Sequence, residues 1–173
     1  DICKEGEPNQ IPLELAEELR TYPGVKHVFG RSYGQLALTE DGKVLLVISY
    51  DEQQLQWAGE DLIEGNLKDA VDGKGVLSVF QEENTWKTGS SVAISAGGTE
   101  QEILIAGELE DVPYNLGPGS RENIAGTVIC SEELFRKLTG IRNYTMLDIQ
   151  LHRDADDSQV QAIRQACERI CGG

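Results

Sequence analysis

Apolar residues recur every three or four positions in three stretches of the chain, as they do on one face of an α-helix. The stripes are Ile11, Leu15, Leu19 and Tyr22; Leu134, Phe135 and Leu138; and Val160, Ile163, Cys167 and Ile170. Pro12 suits a first helical turn, Ser131 can cap the second helix, and Gly140 can end it. Asp156 and Asp157 suit the positive end of the third. The pattern predicts three amphipathic helices.

Shorter apolar runs between these helices have the length and alternation of β-strands. The predicted strands are 25–31, 35–39, 44–50, 75–80, 91–95, 101–109, 124–129 and 144–151. Asp41-Gly42 predicts a hairpin turn, and 112–123, with Pro113 and Pro118, is predicted to be an exposed loop. The stretch 51–75 has a mixed pattern of apolar and polar residues, so no helix or strand is predicted there.

The elements run α/β, then β, then α/β, which predicts an α+β fold. We expect a discontinuous α+β subdomain, 1–54 with 124–173, interrupted by a small mainly-β subdomain at 55–123. The two outer segments must then pack on each other, which places both chain ends on one subdomain. That arrangement suits a domain placed between two membrane segments. The chain starts at Asp1 and its only methionine is Met146, so we expect both ends to be cut ends of a longer protein.

Composition narrows the possible functions. Hydrophobic residues make up 39% and charged residues 26% of the 173 positions, as in ordinary globular domains. The net charge of −15 would repel phosphate backbones, so nucleic acid is not an expected partner. No run of about 20 apolar residues is present, so the sequence predicts no membrane span within this chain.

The four cysteines leave several interpretations open. Cys130 ends an apolar run and suits a core position. Cys167 and Cys171 share a helix face, which favours packing over half of a metal site because no histidine is near in sequence. A bridge from Cys3 to the last helix requires the chain ends to meet. We expect no metal.

No catalytic constellation is recognisable in the sequence. His27 and His152 lie in or beside predicted strands, and no serine sits in a Gly-x-Ser-x-Gly elbow. No Gly-x-x-x-x-Gly-Lys-Ser/Thr loop is present to bind a nucleotide phosphate. We therefore expect no catalytic residues, no cofactor and no enzymatic activity.

The order of several short segments resembles the extracytoplasmic domains of FtsX-like ABC-transporter permeases, above all the MacB-like periplasmic core domain. The segments that carry the resemblance are Tyr22-Pro23-Gly24-Val25-Lys26-His27-Val28, Ser49-Tyr50-Asp51-Glu52, 62–67, 87–92, 103–109, 132–138 and 144–151. Two positions depart from it, since Asn66 stands where the family usually has Arg and Ser90 where it has Asp.

The resemblance implies a discontinuous, sandwich-like α/β subdomain (Porter-like) near the membrane and an inserted mainly-β subdomain (Sabre-like). It implies a location outside the cytoplasm, at the cell membrane, and a role in coupling ATP-driven membrane movements to an outside partner or substrate. The implied partners are membrane segments of the same permease chain, a separate or fused ABC ATPase, and a second permease copy or an extracytoplasmic protein.

We predict that the loop 112–123 is the partner-contacting tip, with Tyr114, Asn115, Leu116 and Arg121 as the contact residues. Two other functions stay open at this point. A free cell-surface binding or adhesion module requires no transporter, and a small enzyme with an unfamiliar site would show a deep pocket with perturbed ionisable groups.

Overall fold

A computed structural model describes residues 10–80, 86–110 and 124–171. The helices are α1 (Leu13–Leu19), α2 (Glu52–Ala58), α3 (Leu67–Val71), α4 (Glu132–Thr139) and α5 (Asp157–Cys171). The strands are β1 (Val25–Arg31), β2 (Tyr33–Leu38), β3 (Val44–Tyr50), β4 (Leu62–Gly65), β5 (Val76–Val79), β6 (Ser91–Ala96), β7 (Thr99–Leu109), β8 (Ile124–Ser131) and β9 (Met146–Leu151). The predicted mixture of helices and strands is confirmed.

The segment 51–75, to which the sequence pattern assigns no element, contains α2, β4 and α3. Asp51 accepts a hydrogen bond from the Gln54 backbone amide (2.7 Å), and Gln54 accepts one from the Asp51 amide (2.9 Å). This reciprocal capping box starts α2. Asn66 caps α3 by accepting from the Lys68 amide at 2.9 Å. Caps therefore offset the weak helical periodicity of two short helices.

The chain divides into two compact units, residues 1–32 with 142–173 and residues 33–141. These boundaries differ from the predicted ones, which grouped 33–54 and 124–141 with the chain ends. The reason is strand pairing, because β3 pairs in parallel with β8 and both belong to the sheet of the second unit. A parallel pairing between strands about 80 residues apart leaves no local signature in the sequence.

The first unit is built on the antiparallel pair β1–β9, with α1 and α5. Alternate residues of the strands face the helices, which is the expected result of a two-residue side-chain period. The buried core consists of Ile11, Leu15, Ala16, Leu19, Val28, Tyr144, Leu147, Ile163 and Ala166. Gly30 lies against the Tyr144 ring, where a Cβ atom would come within 2.3 Å of it.

An ion pair on the surface of the first unit joins α1 to α5. Glu18 accepts hydrogen bonds from Arg169 and from the Tyr22 hydroxyl, the latter at 2.8 Å. The hydrogen bond from Tyr22, and then the one from Arg169, holds the pKa of Glu18 below its usual range.

This lowered pKa gives a pH-dependent prediction. Because the carboxylate is stabilised in the folded state, its contribution is present above the unfolded pKa of about 4.3 and is lost as the pH falls through the folded value. Glu18→Gln should therefore unfold at a lower urea concentration than the parent protein at pH 7, and the difference should vanish near pH 2. A difference that persists unchanged at pH 2 would contradict the ion-pair explanation.

The second unit is a seven-stranded sheet whose pairings form a ring: β5–β8–β3–β2–β6–β7 and back to β5, with β4 added beside β7. β7 is long enough, at 11 residues, to pair with β6 near its start and with β5 near its end. Alternate residues of all six ring strands converge on one core. Its strand residues are Leu36, Leu38, Leu45, Val47, Val76, Val92, Ile94, Ala96, Ile103, Ile105, Val128 and Cys130.

Helix α4 completes this core with Phe135 and Leu138. Ser131 caps its start by accepting from the Leu134 amide (3.3 Å), and Gly140 ends it in the left-handed conformation. Gly34 of β2 leaves room for the helix, because a Cβ atom there would lie 2.9 Å from the Thr139 methyl group. The helix is thereby fixed against the strands.

Candidate functional site

The predicted contact residues Tyr114, Asn115, Leu116 and Arg121 lie outside the described residues. The structure describes the strands on either side of their segment. β7 ends at Leu109 and β8 begins at Ile124, so the segment joins two strands of the seven-stranded sheet. Its role in partner contact stays a prediction.

Two of the side chains that could act as a nucleophile or a metal ligand, Cys130 and His27, are packed against other residues. Cys130 is fully buried in β8, and burial raises the pKa of its thiol far above the usual range, so it is unreactive. His27 packs against Phe29, with ring centroids 3.9 Å apart. Within 10–80, 86–110 and 124–171, no three His, Cys, Asp or Glu side chains are grouped as metal ligands.

A solvent-open groove of about 350 Å³ lies in the second unit between α4 and the first half of β7. We call it the α4–β7 groove. It is lined by Lys74, Gln101, Glu102, Ile103, Leu104, Leu134, Lys137 and Leu138. The three α4 residues follow the i, i+3, i+4 spacing that places side chains on one helix face. The sequence pattern did not predict the groove, because it indicates only helix packing for the two leucines of α4.

Two glycines hold Lys74 at this groove. Gly75 passes so close to β7 that a Cβ atom there would lie 2.7 Å from the Leu104 carbonyl oxygen. Gly73, with φ +72°, turns the chain beside α4, where its Cβ position lies 3.4 Å from the Ser131 hydroxyl. The turn after α3 is therefore packed between the start of α4 and β7, and Lys74 is carried to the rim of the groove.

The groove combines an apolar floor with a charged rim. Ile103 and Leu138 are buried, whereas Leu104 keeps 37% of its surface exposed. Among the described residues, no carboxylate lies within 4.0 Å of the Lys137 ammonium group, whereas Lys74 is 3.9 Å from Asp69.

Among the described residues of the second unit, three other large apolar side chains are exposed: Trp57, Ile63 and Phe80. Backbone hydrogen bonds from Phe80 to Leu109 (2.8 Å) and from Glu110 to Asp61 (2.8 Å) bring the end of β5 and the start of β4 to the same end of β7. Ile63 and Phe80 therefore sit where β7 leads into the segment that was predicted to contact partners.

No protein-family model matches the sequence, and no curated protein is significantly similar to it. Solved structures are similar in fold. The extracellular domain of YknZ, a noncanonic ABC-type transporter from Gram-positive bacteria, aligns with a TM-score of 0.62 at 13% identity, over 99% of this chain and 89% of that one. The periplasmic region of MacB from Actinobacillus actinomycetemcomitans aligns with a TM-score of 0.57 at 14% identity, over 96% and 77%.

A domain of a permease protein from Porphyromonas gingivalis aligns with a TM-score of 0.54 at 15% identity, over 95% of this chain and 71% of that one. Within the described residues, no helix has the length and apolar character needed to cross a membrane. The predicted resemblance is confirmed at the level of the fold: this chain has the fold of the extracellular and periplasmic domains of ABC-transporter permeases.

Proposed function

We propose that this chain is the extracytoplasmic domain of an ABC-transporter permease, and that it couples ATP-driven movements in the membrane to a partner or substrate outside. The observation that carries this proposal is the fold likeness to the extracellular domain of the ABC-type transporter YknZ and to the periplasmic region of MacB, which extends over at least 96% of the chain. The domain acts without a catalytic residue of its own. Its partners are the permease's membrane segments and an ABC ATPase, with a second permease copy or an extracytoplasmic protein outside.

The first unit suits the role of the membrane-proximal, Porter-like subdomain. α1 and α5, the first and last described helices, pack on each other within it, and α1 is bound to α5 by the Glu18–Arg169 pair. A displacement of either helix should therefore move the first unit as a single packed body. The second unit, residues 33–141, corresponds to the inserted, Sabre-like subdomain and carries the segment predicted to contact partners.

Cysteine labelling of the full-length permease tests both the location and the coupling. Lys43 is well suited because its side chain is 63% exposed, in the turn between β2 and β3. In intact cells, the Lys43→Cys variant should be labelled by a membrane-impermeant maleimide to a greater extent than the parent protein. When vanadate arrests the ATPase of the transporter, the rate at which the introduced thiol is labelled should change at least about twofold, because the domain populates a different conformation.

Protection of the introduced thiol in intact cells would contradict the extracytoplasmic location. Labelling that is insensitive to the state of the ATPase would contradict coupling, and would favour a binding or adhesion module. An inactive variant of the ATPase, expressed at the same level, provides the matched control for vanadate.

A further inference from the structure

The α4–β7 groove is lined by two lysines and four apolar residues, on a chain with a net charge of −15. We propose that this groove binds a free, single-chain anionic amphiphile. The carboxylate of the ligand lies at Lys137 and Lys74, and its alkyl chain lies along Leu104, Leu134 and Leu138. This inference goes beyond the coupling function and does not depend on it.

The apolar lining is suited to an alkyl chain. Leu134 and Leu138 are four residues apart on α4 and form one wall, and Leu104 of β7 faces solvent with 37% of its surface. Leu138 is already buried, so covering Leu104 and Leu134 is what removes apolar surface from water. Removal of such surface is the main driving force for binding an alkyl chain. The volume of about 350 Å³ is at the lower end of the range for small-molecule sites. It suits one chain better than the two chains of a membrane lipid.

The charges at the rim select an anionic head group. Lys137 has no ion pair among the described residues, so its ammonium group is available to a ligand carboxylate. Lys74 adds a second positive charge, although Asp69 lies 3.9 Å from it. Glu102, which carries a negative charge, also lines the groove. Two lysines together with one glutamate favour a ligand head group with a single negative charge over one with several.

The rest of the surface argues against docking on an anionic membrane. Acidic residues outnumber basic ones 30 to 15, which repels anionic lipid surfaces at long range. A small soluble anion reaches the two lysines with a far smaller penalty, because salt screens the wider field beyond about 8–10 Å. The ligand is therefore a single amphiphile molecule taken from solution and not a lipid in a membrane.

Titration with three soluble amphiphiles of equal chain length tests the proposal. The probes are decanoate, the neutral decanoyl-N-methylglucamide and decyltrimethylammonium, each below its micelle concentration, followed by calorimetry and by amide chemical shifts. We expect decanoate to bind most tightly, the neutral probe less tightly and the cation least. The largest shifts should fall on 101–104 and 134–138.

Matched variants separate the head-group contact from the chain contact. Lys137→Gln should weaken decanoate about fivefold, the size of one surface charge interaction, and leave the neutral probe unchanged. Leu104→Gln should weaken both probes about fivefold, because it removes part of the apolar wall. Lys43→Gln removes an exposed lysine that does not line the groove, in the turn between β2 and β3, and should change neither.

Several outcomes would overturn the proposal. They are equal affinity for the three probes, full affinity in both groove variants, and shifts confined to other residues. Absence of decanoate binding would also overturn it, including the case in which a second copy or another segment of this chain already fills the groove. Flotation with phosphatidylglycerol vesicles should leave the protein unbound, and Lys137-dependent binding to vesicles would overturn the assignment of a free monomer.

Discussion

Gly65→Ala is expected to destabilise the second unit by about 3 kcal/mol, through a left-handed backbone penalty of about 1 kcal/mol together with overpacking of about 2 kcal/mol. Gly65 ends β4 with φ +106°, a conformation that L-residues rarely adopt. A Cβ atom there would lie 2.4 Å from both the Ala106 carbonyl oxygen and the Gly107 Cα atom. These are backbone atoms, so no side-chain rotation can relieve the contact.

The strand pairing explains how the structure will respond. Gly65 lies opposite Gly107 in the β4–β7 pair, and β4 is the last strand of the sheet, beside β7. Separation of β4 from β7 is therefore the available relief. The hydrogen bond from the Asn66 amide to the Ala106 carbonyl (2.9 Å) should break, and hydrogen exchange at Asn66 should accelerate.

Urea unfolding followed by tryptophan fluorescence provides the measurement, because Trp57 and Trp86 both belong to the second unit. Gly42→Ala is the matched control. Gly42 also has a positive φ (+69°), but a Cβ atom there would meet nothing within 4 Å. It should cost only about 1 kcal/mol. Equal costs for the two variants would show that backbone conformation alone, and not the close approach of β4 to β7, sets the penalty.

Local signals in the sequence account for most of the individual elements. The apolar stripes and their caps predicted α1, α4 and α5, and alternation predicted every described strand except β4. α2 was missed although its capping box, Asp51 with Gln54, is visible in the sequence. The buried apolar residues of α2 are Leu55 and Ala58, which span a single helical turn. This apolar stripe is too short to show helical periodicity in the sequence.

Neither the ring of strands nor the α4–β7 groove could be predicted from the sequence, because both depend on contacts between residues far apart in the chain. β7 pairs with β6, its neighbour along the chain, but also with β4 and β5, which long stretches of chain separate from it. Such register is fixed by which apolar face each strand presents to a shared core, and that core exists only after assembly. Lys74 and Lys137 are far apart in sequence and lie in one groove because two glycines bring Lys74 to α4.

Asp148→Asn is expected to destabilise the first unit by about 2–3 kcal/mol, because it removes the negative charge of Asp148 from beside a buried guanidinium. Arg31 of β1 is only 4% exposed and is paired with Asp148 of β9. The two residues are diagonal neighbours across the strand pair, since Arg31 lies opposite Met146 and Phe29 opposite Asp148. Asparagine keeps the shape of the side chain, so the effect isolates the lost charge. Because the Asp148 side chain is 24% exposed, the expected cost is below the roughly 3–5 kcal/mol typical of fully buried pairs.

A double variant distinguishes the cost of keeping the buried Arg31 charge beside a neutral residue from the value of the Arg31–Asp148 pair. Arg31→Met with Asp148→Leu removes both charges and keeps similar volume, so it should be more stable than Asp148→Asn alone. Glu132→Gln, which breaks the partly exposed Arg136–Glu132 pair of α4, should cost about 0.5 kcal/mol and serves as the surface control. Hydrogen exchange of the β1 and β9 amides is the readout, because both tryptophans lie outside this unit. A double variant less stable than Asp148→Asn would mean that the attraction between the two charges stabilises this strand pair by more than the desolvation of Arg31 costs.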